Sequence, residues 1–287
     1  MASTPMTPVR PNWRHRIVAR YYRASEHPAR LRLLRWTKRL LRVNIVQVEV
    51  FPGVIMELDD ADYVNREILF QGGYEVATLR LFDRLLSKAR GFVDIGAHHG
   101  QYTLRAARTL AARHGRVLAF EPTPANAARL LRNAQLSAVF NFELFALGLS
   151  DSVAVRRIVL PFSNNTGGAH LGATAPAVGE EEAVPVYISV WPIKSLAARI
   201  PPESLDLVKI DVEGHERSVL ASLFESALPK PPNLLMEFLP EFFDYGVPEG
   251  LPAWLASHGY DLRTVEGAVY RPGQPLPENN LWAQLRV

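Results

Sequence analysis

The amino-acid sequence predicts an α/β fold with a mostly parallel sheet, and three observations support this prediction. Short apolar runs at 92–96, 116–120 and 142–147 alternate with amphipathic patterns at about 101–113 and 124–136. Chains in which strands alternate with helices form parallel sheets with right-handed crossovers. A glycine turn follows the first of these strands and a carboxylate follows the second, and 287 residues suffice for one large α/β domain.

The same alternation resumes after an irregular stretch and predicts the rest of the sheet. Segment 163–183 is rich in Gly, Asn and Ala and predicts a long loop. Because it lies between the third and fourth parallel strands, whose carboxyl ends face the ligand, we expect it to act as a lid on the acceptor side. The remaining predictions are strands at 154–162, 184–190, 205–214, 233–240, 260–265, 268–271 and 281–287, and helices at 193–200, 216–227 and 251–258.

The N-terminal part of the chain differs from the rest in charge. Residues 1–43 contain eleven Lys and Arg and one acid, whereas the remainder contains 21 basic and 28 acidic residues. Residues 1–27 are rich in Pro and Arg and predict irregular structure. Residues 28–43 predict a basic amphipathic helix with Leu33, Trp36 and Leu40 along one side. Such a helix either packs on its own domain or a partner subunit, or contacts an anionic surface such as a membrane.

A hairpin and a helix are predicted between this basic region and the sheet. Two strand patterns flank Pro52-Gly53 within residues 43–58, and residues 72–89 follow with a helical pattern. The predicted organisation is a basic N-terminal arm at 1–43 and one domain at 44–287, divided into the hairpin and helix at 44–90 and the core at 91–287.

The composition excludes several classes of function. The chain has no cysteine, which rules out disulfides, thiolate metal sites and a cysteine nucleophile. No stretch reads as a signal peptide or a membrane span, so we expect a cytoplasmic protein that is membrane-associated only if the arm binds lipid. Because the basic residues are concentrated in the arm, the sequence predicts no nucleic-acid partner.

The turn after the first parallel strand lies in "FVDIGAHHGQYTL", residues 92–104. Asp94, Gly96 and Gly100 form the pattern D-x-G-x-x-x-G, in which glycines let the backbone bend sharply and approach a ligand. The spacing differs from the dinucleotide fingerprint G-x-G-x-x-G, and no G-K-[ST] follows as in a phosphate-binding P-loop. On its own the turn fits a ligand site or a purely structural connection.

A carboxylate at the end of the second strand favours the ligand site. "RVLAFEP" ends with Glu121 and Pro122, and a carboxylate at this place accepts hydrogen bonds from both hydroxyls of a ribose. Asp94 and Glu121 at adjacent strand ends suit a ligand with a free ribose and a cationic group, such as S-adenosyl-L-methionine (SAM). A buried, ion-paired carboxylate without a ligand is the alternative.

Several stretches together resemble the FkbM family of SAM-dependent methyltransferases. They span about residues 50–240 and keep the family's order. The most specific are "FEPTP" and, further on, "KIDVEGHE". The other matching stretches are "YEVATLRLF", "FVDIGAHHGQYTL", "VLAFEPTPANAARLLRNAQLS", "GLSD", "NNTGGAHL", "LDLVKIDVEGHERSVL" and "NLLMEF".

The resemblance implies a class I methyltransferase (Rossmann-like) sheet of seven strands with helices on both faces, and a hydroxyl acceptor. It makes 44–287 the methyltransferase domain and 91–287 its catalytic core. This chain has His98 where the family usually has Asn, and Lys194 where the family often has Asp. The residues that the resemblance places around the cofactor are Asp94, Gly96, His98, Gly100, Glu121, Pro122, Ser150 and Asp151.

Catalytic candidates follow the fourth and fifth parallel strands. Methyl transfer to a hydroxyl depends on alignment with the methyl group and on a base that takes the hydroxyl proton. Asp211 is the first candidate for this base, His215 the second and Glu237 the third. A structural pair of Lys209 with Glu213 is the alternative role for those two residues.

No metal site is predicted. Asp211, Glu213, His215 and Glu216 offer ligands of the kind that Mg²⁺ or Mn²⁺ prefers, but no H-E-x-x-H pattern accompanies them.

The leading function is therefore an O-methyltransferase that acts on a small molecule, a sugar or another glycan. RNA or other N-directed methylation is the alternative enzyme class, although "DVEG" replaces the N/D-P-P-[YF] signature of base methylation. A third possibility is a non-catalytic module that docks through its basic arm. The absent G-x-G-x-x-G and G-x-S-x-G patterns argue against a nicotinamide-dependent oxidoreductase and a serine hydrolase.

Overall fold

The computed structural model of the protein describes residues 8–24, 29–159, 170–171, 186–238 and 250–286. Within these ranges the helices are α1 (Trp13–Tyr22), α2 (Arg30–Leu41), α3 (Tyr63–Gln71), α4 (Val76–Leu86), α5 (Gln101–Leu110), α6 (Pro124–Ser137), α7 (Glu216–Phe224) and α8 (Gly250–Ser257). The strands are β1 (Ile45–Phe51), β2 (Val54–Asp59), β3 (Gly91–Ile95), β4 (Arg116–Phe120), β5 (Glu143–Phe145), β6 (Gly148–Ser150), β7 (Ala154–Val159), β8 (His170–Leu171), β9 (Val186–Pro192), β10 (Val208–Ile210), β11 (Asn233–Glu237), β12 (Tyr260–Thr264) and β13 (Asn280–Leu285).

The central sheet has seven strands in the order β12-β13-β11-β10-β3-β4-β5. Its five strands from β11 to β5 are parallel, and β13 runs antiparallel to both of its neighbours. This arrangement confirms the predicted seven-stranded, mostly parallel sheet. It also places the carboxyl ends of β3, β4, β10 and β11 along one edge, where the candidate site residues stand.

Helices cover both faces of this sheet, as predicted. Phe92 of β3 packs in one apolar cluster with residues of α4 and α5. Its neighbour Val93 points to the opposite face and packs in a second cluster with residues of α7 and α8. Alternate residues of a strand face opposite sides, so each buried strand contributes to two apolar layers.

Two predicted elements in the second half of the core differ from expectation. The helix predicted at 193–200 is a run of 3₁₀ turns, Ile193–Arg199. The strand predicted at 268–271 is wrong, since this segment forms only an isolated bridge between Arg263 and Val269. Gly267 and Gly273, both with positive φ, bound this segment and turn the chain before a strand can extend.

A second, four-stranded sheet with the order β6-β9-β7-β8 was not foreseen from the sequence. The strands predicted at 154–162 and 184–190 correspond to β7 and β9, which pair antiparallel. Strand β6 runs parallel to β9, with Leu149 opposite Trp191. The lid predicted at 163–183 lies outside the described residues, apart from 170–171, which pair with β7.

The N-terminal arm is more ordered than the sequence predicts. Residues 13–22 form α1 rather than irregular structure, because the Asn12 side chain accepts hydrogen bonds from the first helical amides and caps the helix. Val18 and Tyr22, four residues apart, are buried in the apolar cluster that also contains residues of the predicted hairpin, β1 and β2. None of the helices among the described residues is both long and apolar enough to cross a membrane.

Asp60 ties both arm helices to the hairpin. Its carboxylate accepts a hydrogen bond from the Tyr22 hydroxyl of α1 and forms an ion pair with the Lys38 ammonium of α2. Burial would raise the pKa of Asp60, but the hydrogen bonds from Lys38 and Tyr22 and the charge of Lys38 together lower it. Both helices are thus fixed to the end of β2, immediately before α3.

The far C-terminal part of the chain completes the start of α4. The carboxylate of Glu278 accepts hydrogen bonds from the backbone N–H groups of Ala77 and Thr78 in the first turn of α4. Asn280 donates a hydrogen bond to Glu75 Oε1 at 2.7 Å. These contacts join residues about 200 positions apart in the chain and fix the helix terminus beside the sheet edge.

Gly96 allows the turn after β3 to approach the segment that follows β10. Its φ is +87°, and a Cβ placed on it would lie 1.8 Å from the carbonyl oxygen of Asp211. The Asp211 N–H donates to the Ile95 carbonyl at 2.9 Å, so the two segments are held together by backbone hydrogen bonds. A side chain at position 96 would force them apart.

We expect Gly96→Ala to lower the free energy of unfolding by at least about 3 kcal/mol, because it combines backbone strain with this clash. Gly267→Ala is the matched control, since Gly267 also has a positive φ but an added Cβ would contact no atom within 4 Å. The control should lose about 1–2 kcal/mol, from backbone strain alone. Urea denaturation of both variants measures the difference, and equal losses would contradict the close approach at Gly96.

Candidate functional site

A cavity lies at the carboxyl edge of the central sheet, where the predicted site residues were expected. Among the predicted residues, its lining includes Gly96, His98, Glu121, Pro122, Asp211, His215 and Glu237. One side of the cavity is apolar and comes largely from the second sheet, through residues such as Leu149, Ile158 and Ile188. The opposite side carries the acidic groups that follow β10 and β11.

Glu121 holds the turns after β3 and β4 in place. Its Oε2 accepts a hydrogen bond from the His98 N–H at 2.8 Å, and its Oε1 accepts one from the Thr123 N–H at 2.8 Å. The residue is almost fully buried, and burial raises the pKa of Glu121 despite these hydrogen bonds. Glu121 also accepts a hydrogen bond from the Thr123 side chain, and a carboxylate can accept about four, so Glu121, which lines the cavity, can accept a further one.

His98 lies in the middle of the glycine turn with φ +49°. Its ring stacks on that of His99, with centroids 3.7 Å apart. Burial lowers the pKa of His98 to about 4, so the imidazole that lines the cavity is neutral at physiological pH. His98 thus offers one donor and one acceptor rather than a charge.

His99 is fixed by hydrogen bonds at both ring nitrogens. Its Nδ1 is 3.0 Å from Asn65 Oδ1, and its Nε2 is 3.0 Å from Arg129 Nη1. Because the guanidinium can only donate, Nε2 is the acceptor. The Nδ1–H group therefore donates the hydrogen bond to Asn65 Oδ1. Burial lowers the pKa of His99 well below its ordinary value, which agrees with this neutral tautomer.

Asp94 is fully enclosed and is not among the described residues that line the cavity. Its carboxylate accepts a hydrogen bond from the Thr103 hydroxyl of α5, and it lies opposite Lys209 in the pairing of β3 with β10. Burial raises the pKa of Asp94 to about 6. The structure therefore places Asp94 behind the turn, where it faces α5 and the lysine.

The buried Lys209 forms an ion pair with the partly exposed Asp211, and both residues line the cavity. The Lys209 Nζ lies 2.6 Å from Asp211 Oδ2, and the ammonium sits over the Tyr102 ring at 4.7 Å. Burial alone would lower the pKa of Lys209, but the charges of Asp211, Glu75 and Asp94 outweigh it and raise this pKa. Lys209 therefore pairs with Asp211 and not with Glu213, which answers the alternative left open by the sequence.

Three carboxylates meet on the acidic side of the cavity. Oxygen atoms of Asp211, Glu213 and Glu237 lie within 4.8 Å of one another, in a geometry that would fit a cation. Burial, together with the charge of Asp211, raises the pKa of Glu213 to about 8 and that of Glu237 to about 10. The Oε2 atom of Glu237 is buried and has no hydrogen-bond partner among the residues that the structure describes.

His215 is held at the rim by Ser150. The Ser150 hydroxyl lies 2.9 Å from His215 Nε2, and His215 precedes the first turn of α7. Burial lowers the pKa of His215, so the ring lines the cavity as a neutral group. Ser150, Asp151 and Gly100 do not belong to the described cavity lining. Gly100 instead packs against Leu130, which a Cβ would approach to 2.9 Å.

Sequence reasoning missed several polar residues of the lining. Tyr74 and Gln101 are bonded to each other through backbone and side-chain groups at 2.7 and 3.0 Å, and both line the cavity with Thr123 and Asn126. Their position in the sequence, close to residues that were predicted to bind the ligand, could have identified three of them. Gln101 follows the glycine turn directly, and Thr123 and Asn126 follow Glu121 at the start of α6.

The raised pKa of Glu237 makes stability depend on pH. From its ordinary value of 4.5 up to about 10, the folded protein holds a proton that the unfolded chain has lost, so stability falls as pH rises through this window. Glu237→Gln removes the titration. We expect its Tm to exceed that of the wild type by about 2–4 °C at pH 9, equivalent to at least about 1 kcal/mol, with a smaller difference at pH 5.

Differential scanning calorimetry at several pH values measures this effect, and Glu266→Gln, which changes an exposed acid, is the control. A pH dependence of Glu237→Gln that equals that of the wild type would show that Glu237 is ionised in the folded protein.

Comparison with known proteins places the chain in a family. The family model described as "Methyltransferase FkbM domain" matches residues 94–262, which is more than half of the chain. No curated protein matches the sequence.

Similar solved structures include the methyltransferase FkbM from Methylobacillus flagellatus KT, with 14% identity and a TM-score of 0.41, over 94% of this chain and 58% of that one. Another is M. jannaschii TYW2 in complex with AdoMet, with 13% identity and a TM-score of 0.41, over 84% of this chain and 83% of that one. A third is the precorrin-6y C5,15-methyltransferase from Geobacter metallireducens GS-15, with 14% identity and a TM-score of 0.41, over 75% and 89% of the two chains.

This chain thus spans less than two thirds of the Methylobacillus protein. The family match covers the glycine turn, Glu121 and the carboxylates at the ends of β10 and β11. Because it spans residues 94–262, the chain belongs to the FkbM methyltransferase family.

Proposed function

We propose that this protein is a SAM-dependent O-methyltransferase that acts on a hydroxyl of a small molecule, a sugar or another glycan. The observation that carries the proposal is the combination of two features in one cavity. Glu121 stands at the end of β4 beside the glycine turn, and Asp211, Glu213 and Glu237 converge on the neighbouring wall. In this proposal Glu121 accepts hydrogen bonds from the ribose hydroxyls, and the three carboxylates stabilise a cation.

The residues fit SAM in three respects. The Glu121 carboxylate at the end of β4 suits a ribose hydroxyl, and the apolar lining around Pro122 and Leu149 suits the adenine. The unpartnered Oε2 of Glu237 and its acidic neighbours suit a positive charge. When bound, SAM would supply a methyl group: the acceptor oxygen would attack the methyl carbon in line as the carbon–sulfur bond breaks and S-adenosylhomocysteine leaves.

An organic cation fits the acidic wall better than a metal ion. The Lys209 ammonium already lies 2.6 Å from Asp211, so a divalent ion in the cluster would meet a fixed positive charge at close range. We therefore expect that activity persists in the presence of a chelator.

Asp211 is the base in this proposal. It carries a negative charge stabilised by Lys209, whereas Glu213 and Glu237, with pKa values of about 8 and 10, hold protons at neutral pH. Asp211 also lines the cavity with a side chain that is 25% exposed. It accepts the proton of the acceptor hydroxyl while His215, the second candidate, lies at the rim bonded to Ser150.

The cavity chemistry favours an uncharged acceptor over RNA. Among the described residues that line it, Lys209 is the only Lys or Arg, and its charge is engaged by Asp211. A nucleic-acid substrate requires cations along its phosphates, and the described lining supplies no further one. A non-catalytic module would lack SAM affinity. A measurement of SAM binding therefore distinguishes a non-catalytic module from an enzyme.

The Glu121→Gln variant tests the cofactor site. Gln keeps an acceptor for one of the two backbone N–H groups but loses the charge that strengthens hydrogen bonds to ribose, so we expect SAM affinity to fall by roughly 10- to 100-fold. Isothermal titration with SAM and S-adenosylhomocysteine measures this effect. Glu143→Gln, an exposed acid on β5, is the control and should bind as the wild type. Unchanged affinity in Glu121→Gln would remove Glu121 from the site.

The Asp211→Asn variant tests the base. It preserves shape but removes the charge, so we expect methyl transfer to slow by at least about 100-fold while SAM affinity changes little. The rate is measured with radiolabelled SAM and a hydroxylated acceptor found by screening sugars, polyols and lipid-linked glycans for a mass increase. Asp261→Asn, at an exposed ion pair with Arg286, is the control. Loss of SAM affinity together with the rate would assign Asp211 to the cofactor instead.

A further inference from the structure

We propose that helices α1 and α2 form a docking surface for an anionic phospholipid bilayer. The surface, here called the arm surface, consists of the exposed apolar and basic residues of these two helices. The inference does not depend on the proposed chemistry. It rests on which residues of the arm are buried, which are exposed, and what charge accompanies the exposed ones.

The face of helix α2 that packs on the protein is not its apolar stripe. The expected apolar stripe of Leu33, Trp36 and Leu40 is exposed, with relative exposures of 40%, 62% and 63%. The face that packs on the protein carries Arg30, Leu34 and Thr37 instead. Three large apolar side chains at i, i+3 and i+7 on a well-formed helix therefore point into solvent.

A basic stripe runs beside the apolar one. Arg32, Arg35, Arg39 and Arg42 follow the same i, i+3, i+7 and i+10 spacing and are all exposed. Within the described part of the chain, Arg32, Arg39 and Arg42 have no ion-pair partner. The helix thus presents an apolar stripe, with Trp among its residues, next to guanidinium groups. This pattern is typical of helices that lie in the plane of a bilayer surface.

Helix α1 repeats the pattern on a smaller scale. Trp13 and Ile17, four residues apart, are 59% and 39% exposed, while Val18 and Tyr22 are buried. Arg16 and Arg20 lie beside the exposed pair and are themselves exposed. Tryptophan favours the boundary between headgroups and acyl chains, and arginine stems extend their charge toward the lipid phosphates.

The positive charge of the arm surface favours an anionic bilayer as its binding partner over a second copy of the arm surface. Residues 1–43 carry eleven Lys and Arg against a single acid, so two arm surfaces would repel each other at contact. An anionic bilayer supplies the complementary charge, and each basic residue near its surface adds to the attraction.

The arm surface is fixed to the wall of the cavity. Asp60 holds Tyr22 of α1 and Lys38 of α2, and the chain continues from Asp60 into α3, whose Tyr63 and Val64 line the cavity. Binding at the arm surface would therefore hold the catalytic domain close to the membrane.

The test is co-sedimentation of the full-length protein with vesicles of phosphatidylglycerol and phosphatidylcholine, compared with phosphatidylcholine alone. We expect binding only to the anionic vesicles. Arg35→Glu combined with Arg39→Glu should weaken it by at least about tenfold. The matched control is Arg80→Glu combined with Arg84→Glu, two exposed arginines with the same spacing on α4. The control should retain most of the binding, because its change in net charge is the same but lies outside the arm.

A second pair of variants tests the apolar stripe. Trp36→Ser combined with Leu40→Ser should also weaken binding by at least about tenfold, whereas Val155→Ser combined with Tyr187→Ser, equally exposed in the second sheet, should not. Equal losses in the test and control pairs, or no binding to anionic vesicles, would overturn the proposal. A concentration-dependent dimer in analytical ultracentrifugation that Trp36→Ser with Leu40→Ser abolishes would also overturn it, because the stripe would then contact a second copy.

Discussion

The acidic side of the cavity depends on one buried ammonium group. Lys209 is only 2% exposed and is the cation that offsets the nearby carboxylates of Asp211, Glu75 and Asp94. Its transfer from water is costly, and an ion pair compensates for this cost only when the geometry is close, as it is at 2.6 Å from Asp211. Because one positive charge faces several acids, the cluster as a whole favours either protonated carboxyls or a further cation.

Backbone geometry supports this electrostatic arrangement. Gly96 lets two chain segments touch, and Glu121 spans the turns after β3 and β4 through two backbone hydrogen bonds. The groups that would contact a ligand are therefore fixed before it arrives, which reduces the entropy lost on binding. Glu121 combines two tasks, since the same carboxylate both joins the turns and faces the cavity.

Strand ends were predictable from the sequence, whereas contacts between distant segments were not. The alternating patterns located Gly96, Glu121 and Asp211 at one sheet edge, because parallel strands end on the same side. The partner of Lys209 depends on the path of the chain after β10, where Glu213 takes a φ of +51°, and a strand pattern does not contain that turn. Strands β7 and β9 of the second sheet were predicted, but the sheet was not, because β6 and β8 have only three and two residues and leave no strand pattern. The sequence left open which face of α2 is buried, because the packing of Arg30, whose side chain donates to backbone carbonyls of α1, depends on where α1 lies.

The contacts of Glu278 and Asn280 have a consequence for how the protein is made. The first turn of α4 and the carboxylate of Glu75 reach their final hydrogen bonds only after residues about 200 positions later have been synthesised. Strand β13 must likewise insert between β11 and β12 before the sheet is complete. During translation the nascent chain therefore carries an unfinished sheet edge and an uncapped helix until β13 leaves the ribosome. Long-range closure of this kind slows folding and leaves apolar surface for chaperones to protect.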